Sequence, residues 1–326
     1  MRTAAAVAAA ALALAGCGEV SFIPAALPSA APKAPVLGPE LPVSPVFGAS
    51  LIANRNVSGV TVAALVVGRG RIRGSEVSSL KSPEARLRPP VLAFLIRHPT
   101  KGAILFGTGL PDDLGRLGRR HERGSPLSPF RIEGGGLIPR LARLGVKPED
   151  VKWIILPDLA PEWAGQAGAF PNATVVVSSG AWSNPRRDDM GAGLPDPRDY
   201  VPEERLRIVD FSGKDPYGPF RHGVDLFKDG SLVLLDLSGG ATGGMGLWVN
   251  LDSGPLLLSG PAALVYDNVY DKALPDRGIV ADLSGFAWNA RAMRQALGAV
   301  PRLIVAPAYD LSPLRISPRP DIAIAP

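Results

Sequence analysis

The sequence predicts an α/β protein, and three observations carry the prediction. Short apolar runs such as Val60–Gly68, Val91–Arg97 and Val151–Leu156 are bounded by Pro, Gly or charged residues, the pattern of buried strands. Other stretches place apolar residues at helical spacing, among them Leu137, Ile138, Leu141 and Leu144. The two kinds alternate in Val151–Ser178, which reads as strand, loop, helix and strand. A loop that opens at a strand end is a usual place for a site.

The chain has 326 residues, of which 46% are hydrophobic and 20% charged, a globular composition. That length fits one large domain or two ordinary ones. The formal charge of +5 is mild, and the 35 basic residues are scattered. Arg116, Arg119, Arg120 and Arg123 form the densest cluster and read as a solvated face. A nucleic-acid surface needs more charge with interleaved aromatics, so no nucleic-acid partner is expected.

Residues 1–16 read as a signal peptide: Arg2 supplies a basic start and Thr3–Leu14 an Ala-rich apolar run. The run is shorter than the roughly 20 residues a membrane-spanning helix needs. Leu14-Ala15-Gly16-Cys17 resembles the bacterial lipobox, which implies cleavage before Cys17 and lipidation of its thiol. The alternative is an ordinary secretory signal cleaved nearby. Cys17 is the only cysteine, so no intrachain disulfide can form. Gly18, by analogy with enteric bacteria, favours an outer-membrane anchor facing the periplasm. Residues 17–50 hold the lipidated cysteine and a Pro/Ala-rich tether, and 51–326 form the folded domain.

Within the domain, Val60–Gly68, Val91–Arg97 and Ala103–Phe106 are expected strands, the last running into Gly107-Thr108-Gly109. Asp112 and Asp113 follow the turn as exposed or capping groups. Leu137–Leu144 is an amphipathic helix stopped near Gly145. After Val151–Leu156, Pro161 suits the first turn of a helix, and Ala173–Val177 returns as a strand. Gly180–Pro219 reads as a long excursion over the rim of a site, with Trp182, Tyr200 and Tyr217 as rim or pocket aromatics. Asp229-Gly230 signals a hairpin turn, and Ser231–Asp236, Met245–Leu251 and Pro255–Leu258 are strands. Trp288, Ala292, Met293, Ala296 and Leu297 mark a helix with a core-facing stripe, and Leu303–Ala306 is the last strand before Tyr309.

Several of these blocks together resemble the metallo-β-lactamase superfamily, in its N-acyl-homoserine lactonase-like branch. That branch reads T-H-x-H-x-D-H-x-G where this chain has Pro157-Asp158-Leu159-Ala160-Pro161-Glu162-Trp163-Ala164-Gly165, followed in both by a segment like FPNA. The block order matches from about Val60 to Leu311, and it implies a four-layer α/β/β/α sandwich. The resemblance also shows what has changed. Gly107, Asp158, Ala160, Glu162, Trp163, Gly240, Pro261 and Tyr309 stand where the family keeps its metal-site residues. Zinc needs about three His, Cys or carboxylate ligands, and Ala160, Trp163, Gly240 and Pro261 offer none. No zinc or other cofactor is therefore expected.

Two functions remain open at this level. One is a metal-free pseudoenzyme, held at the membrane by its lipid, that binds a small ligand or an envelope protein. Trp163 and Tyr309 would then either line the old cleft for an apolar or acyl-bearing ligand or plug it. The other is a divergent lactone, ester or amide hydrolase that uses carboxylates or a non-standard metal site. Its candidate cluster is Asp158, Glu162, Asp236 and Asp310, which suits Ca²⁺, Mg²⁺ or acid–base work. Ser178, Ser179, Ser238 and Ser259 lie in no nucleophile motif, and His222 reads as a capping or packing residue.

Overall fold

Alternation along the first long strand sets the architecture. In Thr61–Arg69, Val62, Ala64 and Val66 point into one apolar cluster while Leu65 and Val67 point into another. A strand buried on both faces must be covered on both, so a second layer is needed on each side.

A computed structural model describes residues 57–112, 130–132, 135–183, 197–316 and 319–325. The leader, the tether, Asp113, the cluster Arg116, Arg119, Arg120 and Arg123, and His121 lie outside the described residues. The first sheet runs in the order Ile322–Ala325, Thr61–Arg69, Pro90–His98, Gly102–Phe106, Val151–Ile155, Thr174–Ser178 and Leu206–Val209. The last four of these are parallel, with Ile104 beside Trp153, Ile155 beside Val176 and Val177 beside Ile208. The second sheet runs Gly223–Asp225, Leu232–Asp236, Met245–Leu251, Gly254–Leu258 and Ile304–Ala306.

The inner faces of the two sheets share one core, in which Phe94, Phe106, Ile155 and Val176 meet Leu234, Leu247, Leu256 and Leu258. Outside the first sheet, Leu137 and Leu141 of the helix Leu137–Arg143 pack on Leu105, Ile154 and Val175. Outside the second, Ala292, Met293 and Ala296 of Leu283–Ala299 cover Val233, Trp248 and Val305. The result is the α/β/β/α sandwich. Each buried Leu or Ile of these layers contributes roughly 1.5–3 kcal/mol.

One sequence expectation needs correction. The excursion Gly180–Pro219 is not loop throughout, because Leu206–Val209 joins the first sheet as its edge strand. Half of it faces solvent, Ile208 being 51% exposed, so it lacks the apolar signature of an inner strand.

The topology gathers one end. Parallel strands aim their carboxyl ends the same way, so Gly107, Asp158 and the loop after Ala306 emerge on one edge of the sandwich. Met245 N–H donates to Pro157 O at 2.8 Å, which stitches the two sheets together there.

Candidate functional site

The strand Val151–Ile155 hands over to a tight corner. Asp158 Oδ1 accepts the Ala160 N–H at 2.7 Å, an Asx turn that sets the start of the helix Pro161–Ala164. Pro161 occupies the first helical position, where its missing N–H costs nothing, as the sequence implied. One turn of helix then places Glu162 and Trp163 inward, and both are buried.

Asp158 and Glu162 are each 8% exposed and lie close enough to interact. Burial, and then the Glu162 charge, push the Asp158 carboxyl up to about 8, against the Ala160 N–H that favours the charged form. Burial also raises Glu162, opposed by a backbone N–H and by the Tyr309 hydroxyl, which donates to its Oε1 at 3.3 Å. Burial and both carboxylates hold the Tyr309 phenol well above its usual range. Two acids and a phenol thus lie together in the interior, where both acids cannot be ionised cheaply.

Trp163 fills what remains. Its ring is 2% exposed and meets Phe106 edge-on, with centroids 6.1 Å apart. Its backbone carbonyl accepts from Thr108 N–H and from Thr108 Oγ1 at 3.0 Å, so the turn after Gly107 is pinned to it. Gly107 sits at φ +72°, and a Cβ there would lie 2.8 Å from Trp163 Cε3. A Cβ on Gly240 would lie 1.8 Å from Pro261 O. No side chain fits at either glycine without the neighbours moving.

The superfamily's metal can be tested against this donor set. Among the described residues, two carboxylates and a phenol already bonded to one of them are the polar groups gathered there, with no imidazole beside them. Among the described residues, no group of three or more His, Cys, Asp or Glu is arranged to hold a metal ion. The residues do not fit zinc.

The structure divides the proposed carboxylate cluster. Asp158 and Glu162 come together, whereas Asp236 and Asp310 are spent elsewhere. Asp236 Oδ1 accepts Ser238 N–H and Oγ–H at 3.1 and 2.8 Å. Asp310 accepts Ser312 N–H and Oγ–H through one oxygen, and Tyr266 N–H through the other. Both are turn-forming groups, and the four-carboxylate site is not formed. The signal was local: Asp-x-Ser favours an Asx turn, and Asp210, Asp229, Asp236 and Asp310 each precede a serine this way.

The other candidates are structural. Tyr217 packs on Trp248 with centroids 5.8 Å apart, Trp182 lies under the Arg198 guanidinium, and Tyr200 OH donates to Leu159 O at 2.6 Å. His222 Nδ1 pairs with Lys214 O. Ser178 Oγ donates to Gly243 O, and Ser259 Oγ to Ala306 O. Asp112 is exposed and accepts from Gln166 Nε2 at 2.6 Å.

One buried cluster escaped the sequence reading. His98, at the opposite end of the sandwich, has Nε2 3.0 Å from Ser231 Oγ and 3.3 Å from Asp229 Oδ2. Its Nδ1 accepts the Thr100 and Lys101 N–H groups, which fixes the neutral ring with its proton on Nε2. Ser231 Oγ donates to Asp229 as well, so Ser, His and Asp converge on the acid and form no nucleophilic relay.

Comparison with known proteins sharpens the picture. No family model matches the chain. It is 32% identical over 195 residues to an N-acyl homoserine lactonase, AttM, of Azorhizobium caulinodans, spanning 57% of this chain and 70% of that one. It is 30% identical over 190 residues to AttM of Agrobacterium fabrum, again covering 70% of the relative. Among solved structures, an N-acyl homoserine lactone hydrolase with N-hexanoyl-L-homoserine at its catalytic metal centre superposes with TM-score 0.62 at 20% identity. That match covers 80% of this chain and 96% of the other. The hydrolase AbOPH, of the β-lactamase superfamily, follows at TM-score 0.54 and 17% identity.

Proposed function

Because the chain belongs to the metallo-β-lactamase-fold superfamily, in its N-acyl homoserine lactonase-like branch, we propose that it is a pseudoenzyme of that branch. Its metal centre has been replaced by packed side chains, and it serves as a non-catalytic binding domain for a small ligand or an envelope protein. The observation that carries this reading is the Trp163 ring against Gly107, which takes the space of an inward side chain at that glycine. The positions that would complete a metal shell, Ala160, Gly240 and Pro261, contribute no donor. The leader Met1–Cys17 supports a lipid anchor at Cys17 and an outer-membrane address facing the periplasm.

A second reading is favoured by the kinship itself: a divergent hydrolase of lactones or esters. The named relatives are lactonases matched over 70% of their length, and this supports hydrolysis more directly than it supports loss of activity. The chemistry would fall to Asp158 and Glu162. One carboxyl, kept protonated near neutral pH, would protonate the leaving alkoxide while the other, ionised, would take a proton from water. Trp163 would have to swing aside for a carbonyl to reach them.

Elemental analysis of the purified chain after incubation with Zn²⁺, Mn²⁺ or Fe²⁺, with assays on N-hexanoyl-homoserine lactone and a p-nitrophenyl ester, separates the two. A metal-free chain without turnover is the expected result. Metal-free turnover lost in Glu162→Gln establishes the second reading. Near-stoichiometric tightly bound metal with turnover would sink the pseudoenzyme and leave a divergent hydrolase that works through a non-standard metal site in place of the carboxylate pair alone.

A further inference from the structure

The end of the sandwich opposite Trp163 carries a cavity of about 310 Å³ lined by Ser253, Arg302, Leu303, Ile304 and Arg319. Two of these residues are cations, Arg319 part-buried and Arg302 exposed at the rim. Arg319 lies part-buried, its Nη1 donating to Arg302 O at 3.1 Å and to Pro255 O at 3.5 Å. Its Nε is buried and has no hydrogen-bond partner among the described residues. Burial presses the guanidinium below its usual range, opposed by Asp321. Asp321 is its counter-ion, and its two oxygens also accept Ser253 N–H at 3.1 Å and Ser253 Oγ–H at 2.5 Å.

Arg302 adds a second charge by an unusual route. It holds φ +61°, in the left-handed region that a non-glycine residue enters at a cost of about 1–2 kcal/mol. Gly254 opposite is at φ +128°, and a Cβ there would meet Arg302 Cβ at 2.8 Å and Arg319 Nη1 at 3.1 Å. A glycine in the facing turn thus leaves room for the two arginines to stand side by side. A part-buried guanidinium and an exposed one line the same cavity, an arrangement that suits a negative ligand.

We infer that this cavity is an anion site that takes a phosphoryl group, held between Arg302 and Arg319. Planar, multiply donating guanidinium groups suit a phosphate better than a carboxylate-free apolar ligand. The volume admits a phosphate or a phosphodiester headgroup, not a nucleotide polymer. The site also adjoins the turn that anchors the start of the described chain, since Gly59 N–H donates to Asp252 Oδ2 at 2.9 Å. A lipid headgroup and soluble phosphate are both sources of that chemistry.

Isothermal titration of inorganic phosphate into the full chain, at ionic strength fixed with chloride, tests it. A saturable isotherm is expected, weakened tenfold or more by Arg302→Ala, whose side chain is exposed and which should fold normally. Arg319→Gln should weaken it at least as much; should that variant fail to fold, Arg302→Ala decides alone. An unsaturable isotherm, or one unchanged in Arg302→Ala, overturns the site. Flotation with phosphatidylglycerol and phosphatidylcholine vesicles then distinguishes the sources. Phosphate-competed retention on vesicles identifies a headgroup, and saturable phosphate binding without retention identifies a soluble anion.

Discussion

Two polar clusters are buried at opposite ends of the same sandwich, and they are built on opposite rules. Around His98, every donor meets an acceptor: the ring donates to Asp229 and Ser231 and accepts from two backbone N–H groups. Asp229, which burial would raise, is instead held below its usual range by Ser231 and His98. Around Asp158, like charges face each other and both are pushed toward the neutral acid. A cluster kept only for folding is expected to look like the first, because buried polar groups are costly unless satisfied. The second carries a residual cost, and this is the pattern that the proposed function rests on.

The largest test of that contrast is to empty the plug. Trp163→Ala removes a buried ring that packs on Phe106 and Gly107, and should cost about 3–5 kcal/mol in urea unfolding. The same change should rescue Gly107→Ala in part. In the parent chain that substitution suffers both the left-handed φ and the clash with Trp163, roughly 2–3 kcal/mol together. In the Trp163→Ala background the φ penalty of about 1–2 kcal/mol alone remains. Additive losses would show that the ring and the glycine are not coupled. A loss under about 1 kcal/mol for Trp163→Ala would show that the ring is not core at all.

A smaller effect, of opposite sign, is expected at the acid pair. Asp158→Asn keeps an oxygen for the Ala160 N–H and removes one of the two acids, so it should stabilise the fold near pH 8 by roughly 1–3 kcal/mol. The sign follows from linkage: a carboxyl raised from an ordinary 3.8 to about 8 binds its proton more tightly in the native state. Its stabilising effect is full below pH 3.8 and fades as pH rises toward 8. Denaturant melts from pH 5 to 8.5 should therefore slope downward in the parent chain and flatten in Asp158→Asn. A parent profile already flat would mean that the pair is solvated.

Most of the layer order was legible because apolar runs such as Ile104–Phe106 and Val175–Val177 have nowhere to go but a sheet interior. Leu206–Val209 was not, since an edge strand with one solvent face breaks the run with Arg207 and sits in a stretch rich in Pro and charge. At the site, the replaced positions could be read in frame from Pro157 to Gly165. The contact of Tyr309 with Glu162 could not, because the two are 147 residues apart and meet only when the two sheets close. Nor could His98 and Ser231, 133 residues apart, which the strand end and the hairpin bring together. Local chemistry was legible and long-range pairing was not.

The smallest effect belongs to the satisfied cluster, and it runs against the acid pair in pH. Burial lowers His98, Lys101 adds to this, and Asp229 restores only part. A histidine whose native value lies below the unfolded 6.5 resists protonation when folded. Its contribution is complete above pH 6.5 and is lost as pH falls below it, because the Nδ1 that accepts Thr100 and Lys101 N–H must then take a proton. His98→Gln should cost about 1 kcal/mol at pH 7.5, where a hydrogen bond or two is lost, and less at pH 5, where the imidazolium would already strain the parent. Melts of the two proteins should thus converge on acidification. If they diverge, the imidazolium is stabilised by Asp229, the ring titrates upward, and the far end of the sandwich is an ion pair in place of a neutral hydrogen-bond knot.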